Sequence, residues 1–191
     1  DVPKDVQNWE GIFQGEGLLS MPGYQHRLEA VRQNQMDDDQ CERFFAMLAE
    51  SERPLIYAGG GVINGNASDE LRSLASTLNI PVVTTLMGLG SFDTTHPLAM
   101  HMLGMHGTAY ANYAVDDCDF LINIGSRFDD RVAGDPPKFA ANAKNIAQFD
   151  IDPSEINKVK QTDWYYIGLL AEALSKLVAY AQRHQIMANT S

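Results

Sequence analysis

A chain of 191 residues with 45% hydrophobic and 20% charged residues holds enough apolar material for one substantial core and has the make-up of an ordinary soluble globular domain. A formal net charge of -11, with Lys and Arg unclustered, excludes a phosphate-backbone partner such as nucleic acid and directs attention to a small molecule or another protein chain. No apolar stretch reaches membrane-spanning length, and the start, DVPKDVQNWE, has neither the basic nor the apolar part of a signal peptide, so a cytoplasmic location without a membrane partner is expected.

Cys41 and Cys118 lie far apart without CxxC spacing, which predicts reduced structural thiols. The opening DVPKDVQ reads as an excised piece of something longer. Residues 1–36 are rich in turn and polar residues and show little periodicity, which predicts a lead-in segment draped over a domain that runs from 37 to 191. Asp37, Asp38 and Asp39 then precede CERFFAMLAES, an apolar pattern of helical spacing with acids where a helix starts.

RPLIYAGGG predicts a strand ending in a glycine turn, and NASDELRSLASTLN predicts a helix with Asn66 as its cap and Leu71, Leu74 and Leu78 on one face. IPVVTTLMGLG repeats the strand, breaking at Gly88 and Gly90. SFDTTHPLAMHMLGMHG fits no element. GTAYANYAVDDC predicts a helix, FLINIGS, KNIAQFDIDPS and WYYIG three further strands, and LLAEALSKLVAYAQRHQ an amphipathic closing helix. Short apolar strands alternating with amphipathic helices imply an α/β fold with a parallel sheet covered on both faces. Ligands of such sheets sit beyond the C-terminal strand ends, here Gly59–Gly61, Thr85–Gly88, Gly125–Arg127 and Asp150–Asp152.

Each of these ends carries two readings. GGGVINGN fails the GxGxxG spacing, so its glycines serve either an anion beside a helix N-terminus or simply a tight turn. His96, His101 and His106 recur every five residues, which is about 140° around a helix and opposite faces of a strand, so no metal site is expected. Met100, Met102 and Met105 read as soft packing at a site wall or a subunit contact. In DIDPSEINK, Asp152 and Glu155 fit a capping box, while Asp150 is either a ribose acceptor or a solvated strand end. GSRFDDRVAG is either a pair of surface ion pairs or a ligand rim whose aspartates orient an arginine; Phe128 has no use in a purely solvated loop. These residues together point to a nucleotide-type ligand on a Rossmann-like domain.

LGMHGTAYANYAV, GSRFDDRVAG and FDIDPSEINK, in this order and spacing, with RPLIYAGGG and PVVTTLMGLG before them, resemble the central domain of the acetohydroxyacid (acetolactate) synthase catalytic subunits, a family of thiamine diphosphate-dependent enzymes. The opening PKDVQ resembles the tail of the pyrimidine-binding domain that precedes it, and the likeness covers roughly residues 1–170. It implies a doubly wound, six-stranded parallel sheet holding FAD in an extended pose. By position, Gly59 and Gly60 approach the flavin nucleotide and Thr85, Leu86 and Met87 line its middle. A first contact stretch includes His106, Gly107 and Thr108 and ends at Gly125, Ser126, Arg127 and Asp129; a second runs from Asp150 and Ile151 to Glu155. Met105, His106, Asp130 and Arg131 match positions at the substrate channel.

Whole enzymes of the family decarboxylate pyruvate on thiamine diphosphate and join it to a second 2-keto acid, pyruvate or 2-ketobutyrate, in branched-chain amino-acid biosynthesis. The resemblance implies a homo-oligomeric parent with flanking pyrimidine- and diphosphate-binding domains and a small regulatory subunit. This sequence has no GDG followed by an Asn for Mg²⁺ and diphosphate, nor the domain that supplies the catalytic Glu, so the chain alone is expected to hold no catalytic or metal-binding residue and no synthase activity. Where the family closes the domain with a Gly-Asp pair at the adenine end of the flavin, the chain has Gly168-Leu169. A flavin-free structural domain, or the central domain of a glyoxylate carboligase or pyruvate oxidase, is the alternative; the motifs of NAD-dependent deacylases, which share the fold, are missing.

Overall fold

The computed structural model of the chain describes residues 7–8, 10–12 and 23–188; the opening motif PKDVQ, Gln7 apart, lies outside them. The segment read as a lead-in, with its little periodicity, contains a helix, α1 (Tyr24–Gln33). Its apolar stripe, Leu28 and Val31, is too short to stand out among polar neighbours. Asn34 ties it down at the far edge of the sheet: Nδ2 donates to the Ile167 carbonyl at 2.5 Å, and the Asn34 carbonyl accepts from the Tyr166 hydroxyl at 2.7 Å.

The acidic run starts α2 (Asp38–Ala49) as expected. Asp37 Oδ1 accepts from the Gln40 amide at 2.7 Å and Gln40 Oε1 from the Asp37 amide at 3.0 Å, a reciprocal capping box. Asp38 also reaches Lys176 at 2.6 Å and Arg183 at 2.7 Å on the closing helix. The chain continues through β1 (Pro54–Ala58), α3 (Gly60–Asn64), α4 (Ser68–Leu78), β2 (Val82–Thr84), β3 (Ala99–Met102), α5 (Ala109–Asp117), β4 (Phe120–Ile124), β5 (Asn145–Asp150), β6 (Trp164–Ile167) and α6 (Leu170–His184). Every strand pair is parallel, in the order β3-β2-β1-β4-β5-β6, with Ile56 opposite Val82 and Ile122 and Ala147 opposite Ile122 and Trp164. This is the doubly wound α/β sheet of six strands.

Alternation along each buried strand sends side chains to two cores. Ile56, Ile122 and Phe149 face α2, α4 and α6, where Phe44 touches Phe120 at 5.7 Å, Phe149 at 5.9 Å and Trp164 at 5.5 Å between ring centroids. Leu55, Tyr57, Val83 and Leu121 face α5 and the long loop between β4 and β5. Both cysteines are free and buried, one in each core, and burial pushes their thiols up, Cys41 to about 11 and Cys118 to about 12.

Three local expectations are corrected. Asn66 does not cap α4: it lies in the left-handed region (φ 49°) after α3, and Ala67 takes the cap position without a side-chain bond. The reciprocal half of the Asp152/Glu155 box is not formed. Asp152 Oδ1 accepts from the Ser154 amide at 2.9 Å over a single 3₁₀ turn, but the Asp152 amide is taken by Asp150 Oδ1 at 3.0 Å, and Glu155 pairs with Lys158 at 2.7 Å. The stretch that fitted no element contains β3, a half-buried edge strand whose register against β2 shifts at a bulge, with His101 at φ 60°. A bulge breaks the alternation by which strands are read.

The C-terminal ends of β1 and β4 are drawn together by glycines. The Gly59 amide donates to the Ile124 carbonyl at 2.9 Å and the Gly61 amide to the Gly125 carbonyl at 3.0 Å. An added Cβ on Gly59 would stand 2.3 Å from the Gly125 oxygen and one on Gly61 2.8 Å from the Gly125 Cα, while Gly125 itself is left-handed at φ 64°. No side chain fits between these turns. Gly59→Ala is therefore expected to destabilise the fold by about 3 kcal/mol or more, because a backbone atom has to yield; a urea midpoint unchanged from wild type would contradict it.

At the other end of the sheet Asp119, 6% exposed, accepts from the Ser51 hydroxyl and, at 2.9 and 3.0 Å, from the Glu52 and Arg53 amides. Burial pushes its carboxyl up, but these donors outweigh it and hold it below the ordinary carboxylate value. Its contribution is thus present above the unfolded-state pKa and lost as pH falls through the lower folded one. Asp119→Ala should cost about 3 kcal/mol, and denaturation series at falling pH should show the variant losing less stability to acid than wild type.

Candidate functional site

Strand order reverses between β1 and β4, and at that switch point the strand ends line a cavity of about 580 Å³. Gly60 after β1, Thr85 after β2, Gly125 after β4, Asp150 at the end of β5 and Gly168 after β6 all contribute to it. Five neighbouring strand ends spaced about 4.8 Å apart make a run of about 19 Å.

The floor is shaped by two turns. In the glycine turn the Gly59 and Gly61 amides are already bonded to β4, so these two glycines serve close approach rather than an anion; Gly59 is buried behind the wall, while Gly60 and Gly61 line it. After β2 the Thr85 amide donates to the Ala58 carbonyl at 2.9 Å, and Thr85 Oγ1 accepts from the Gly88 amide at 3.0 Å. That 3₁₀ turn presents Leu86 and Met87 outward, 68% and 73% exposed, as an apolar platform on the cavity wall.

GSRFDDRVAG forms the rim. Asn123 closes the turn after β4, its Nδ2 donating to the Ser126 carbonyl at 2.7 Å and its Oδ1 accepting from the Ser126 amide at 3.2 Å. Phe128, left-handed at φ 55° and 2% exposed, plugs into the second core against Tyr57 at 5.7 Å and Phe139 at 6.1 Å. Arg127 and Asp129 flank it and pair at 3.4 Å, both exposed, and Asp129 Oδ1 accepts from the Arg131 amide at 2.9 Å. That amide bond, with Asp130 and the arginines, holds the Asp129 carboxyl below its ordinary value. Arg127, Asp129 and Arg131 line the cavity.

On β5, Asp150 is 8% exposed at the cavity wall, and burial pushes its carboxyl up against the pull of the Asp152 and Ile151 amides. Asp150 is thus a buried strand end whose Oδ1 accepts from the Asp152 amide at 3.0 Å. Ile151, Leu169 and Leu170 continue the wall as an apolar stretch, and Ser126 completes it beside Gly125.

Several of the remaining sequence-derived residues stand elsewhere. Gly107 meets the Met102 carbonyl, 2.4 Å from where its Cβ would be. Thr108 caps α5, accepting from the Ala111 amide at 3.3 Å. Met105, 78% exposed, and His106 sit outside the cavity wall, as do Asp130 and Glu155. The Met105–His106 loop nevertheless borders the rim: Asn112 holds Gly104 by two bonds, 2.9 and 3.1 Å, and a Cβ on Gly104 would stand 3.3 Å from the Arg131 carbonyl. The three spaced histidines separate, His96 against Phe92, His101 against Tyr110 and His106 in solvent.

Asn64, Gly65 and Val132 line the wall without having been singled out in the sequence; only their place after a strand end signals them. Asn112 was missed because an asparagine inside a helix carries no signal of a tertiary clamp. Among the described residues the wall holds no His, Cys or Lys, so it offers recognition through one arginine pair, two carboxylates and apolar platforms, but no nucleophile–base couple.

Residues 41–177 match the family model for the thiamine pyrophosphate enzyme central domain. The chain is 46% identical over 178 residues to an acetolactate synthase large subunit of Corynebacterium glutamicum, covering 93% of the chain and 27% of that protein. It is 47% identical over 182 residues to a probable acetolactate synthase large subunit of Methanocaldococcus jannaschii, covering 94% of the chain and 30% of the relative. Over 161 residues it is 46% identical to the chloroplastic acetolactate synthase 1 of Zea mays, 84% of the chain and 24% of the relative. The chain thus spans under a third of the length of these relatives. By its sheet order, its switch-point cavity and these likenesses, the chain belongs to the thiamine pyrophosphate enzyme central-domain family.

Proposed function

We propose that the chain is the FAD-binding middle domain of an acetolactate synthase large subunit, and that the cavity at the switch point holds the flavin in an extended pose. The observation that carries this reading is the cavity's shape: a run of five strand ends with an arginine rim on one segment and a buried carboxylate on the next strand. Arg127 offers a fork for a phosphate, Asp150 accepts from ribose hydroxyls, and Leu86 and Met87 support a flat ring. The residues present fit such a group, with one exception: Leu169 lines the wall where the family has an acid, and it contributes packing only.

In the whole protein we assign the chemistry to thiamine diphosphate, which supplies an electron sink when bound with Mg²⁺ by the flanking pyrimidine- and diphosphate-binding domains. This chain's share is to hold the flavin, which undergoes no net redox change in the family, to join those domains, and to border the substrate channel with Met105, His106, Asp130 and Arg131. Condensation of pyruvate with pyruvate or 2-ketobutyrate, and assembly with further copies and a small regulatory subunit, belong to that whole protein. Leu169 favours a second reading, a scaffold that binds no flavin.

Titration of the purified chain with FAD, followed by absorbance and thermal shift, separates the two. Saturable binding is expected, weakened about tenfold by Arg127→Ala, the loss of one charge-assisted bond, and little by Arg131→Ala. Absence of binding at high micromolar FAD would favour the scaffold, and equal losses from both variants would undo the division between them.

Asp150 adds a pH dependence. Only its ionised form accepts two ribose donors, and its folded pKa is raised by burial, so affinity should climb as pH rises through a window above the ordinary carboxylate value. Asp150→Asn should bind more weakly and flatten the profile; a wild-type affinity independent of pH across that window would count against ribose binding.

A further inference from the structure

The rim loop is strained at both ends and fastened from outside. Phe128 and Ala140 both hold left-handed backbone, φ 55° and 48°, and both are 2% exposed. A residue with a Cβ keeps that conformation only where its surroundings impose it. Between them Lys138 and Phe139 donate their amides to the Asp135 carbonyl at 2.9 and 3.0 Å, forming one turn. Phe139 from this turn packs on Phe128 and, at 5.9 Å, on Tyr57.

The fastening comes from a different part of the chain. Lys160, between β5 and β6, donates its Nζ to the Pro136 carbonyl at 3.0 Å and to the Phe139 carbonyl at 2.8 Å. A lysine ordinarily keeps its ammonium in water. Here the ammonium is half-buried and, among the described residues, makes no ion pair; desolvation pushes its pKa down. The two carbonyls, each accepting a bond from the charged ammonium, are what hold it inward.

We propose that Lys160 is a positioning residue for the ligand cavity: its ammonium clasps the Pro136–Phe139 turn, seats Phe139 against Phe128, and through Phe128 fixes Arg127, Asp129 and Arg131 at the rim. The clasp itself is independent of ligand identity; its effect on FAD rests on the flavin-binding reading above.

The test uses the full chain with Lys160→Met, which keeps the stem and removes every donor, and Lys160→Arg, which keeps donors. Amide hydrogen exchange across 128–140 should quicken about tenfold in the Met variant while β1 and β4 amides stay as in wild type. FAD affinity should fall about fivefold, the loss of a bond made by a charged donor, and the Arg variant should restore both readouts to within about twofold. Unchanged exchange across 128–140 in the Met variant would overturn the clasp. Faster exchange with unaltered FAD affinity would overturn the link to the rim. If wild type binds no FAD and the exchange change still appears, the clasp stands and the flavin reading falls. Lys160→Gln, with one donor group left, should lie between Met and wild type, and it replaces the Met variant if that one fails to fold.

Discussion

The close approach of the β1 and β4 ends is the constraint on which the site depends. Two parallel strands that are adjacent in the sheet but leave it in different directions open a crevice, and its width is set by how near their following turns lie. Here the turns are bonded amide to carbonyl, Gly59 to Ile124 and Gly61 to Gly125, with no side chain between them. The same contact turns the chain after β4 through a left-handed Gly125, which carries Arg127 to the rim instead of into the second core. A third glycine extends the arrangement: a Cβ on Gly88 would stand 2.5 Å from the Ala58 carbonyl, so the β2 turn also lies flat against β1 and leaves Leu86 and Met87 facing the cavity.

The two faces of the sheet are unlike, and the site follows the weaker one. Three helices and an aromatic cluster centred on Phe44 cover one face. The other has α5 and the loop that contains Phe128, Ala133 and Ala140. A helix supplies its own backbone partners, whereas a loop depends on tertiary ones. The rim is therefore built from the part of the fold with the fewest internal constraints, which is where binding residues concentrate. Its order comes from neighbours: Asn123 within the turn, Phe128 in the core and Lys160 across the chain.

Much of this was legible in the sequence because buried parallel strands read as short, near-continuous apolar runs; PLIYA, FLINI and the run before Asp150 stand in the sheet where those runs predict. The cavity-lining ends were legible for the same reason, since the glycines, the arginine and the aspartate that directly follow such runs mark where the strands stop. Phe128 was readable as anomalous but not as a plug, because its partners Tyr57 and Phe139 come from other segments. β3 was not legible: an edge strand is half-buried, and its bulge breaks the alternation. The helix caps at Asn66 and Glu155 were misread for a shared reason. A capping pattern only names a side chain that can reach an amide, and in both places the backbone had another solution, a left-handed residue at Asn66 and the Asp150 carboxylate at Asp152. Asp150, for which the sequence left two roles open, is buried at the end of β5 beside the cavity.

The titratable side chains and the cavity wall are distributed differently across the chain. The cavity wall combines charge, a buried acceptor and apolar platforms, yet the residues most able to move protons near neutrality lie outside it. His96 is engaged with the Leu98 amide and the Phe92 ring, and His101 with Tyr110, while both cysteines are buried with thiols pushed far above neutrality. His106, the remaining histidine of that stretch, is in solvent on a loop that Asn112 holds against the Arg131 backbone. Of these groups only His106 is exposed beside the rim, while the cavity wall carries arginines, carboxylates and apolar side chains. Met105 and His106 are thus exposed on a loop that meets the Arg131 backbone, so the border of the cavity and its wall are tied together through one short contact.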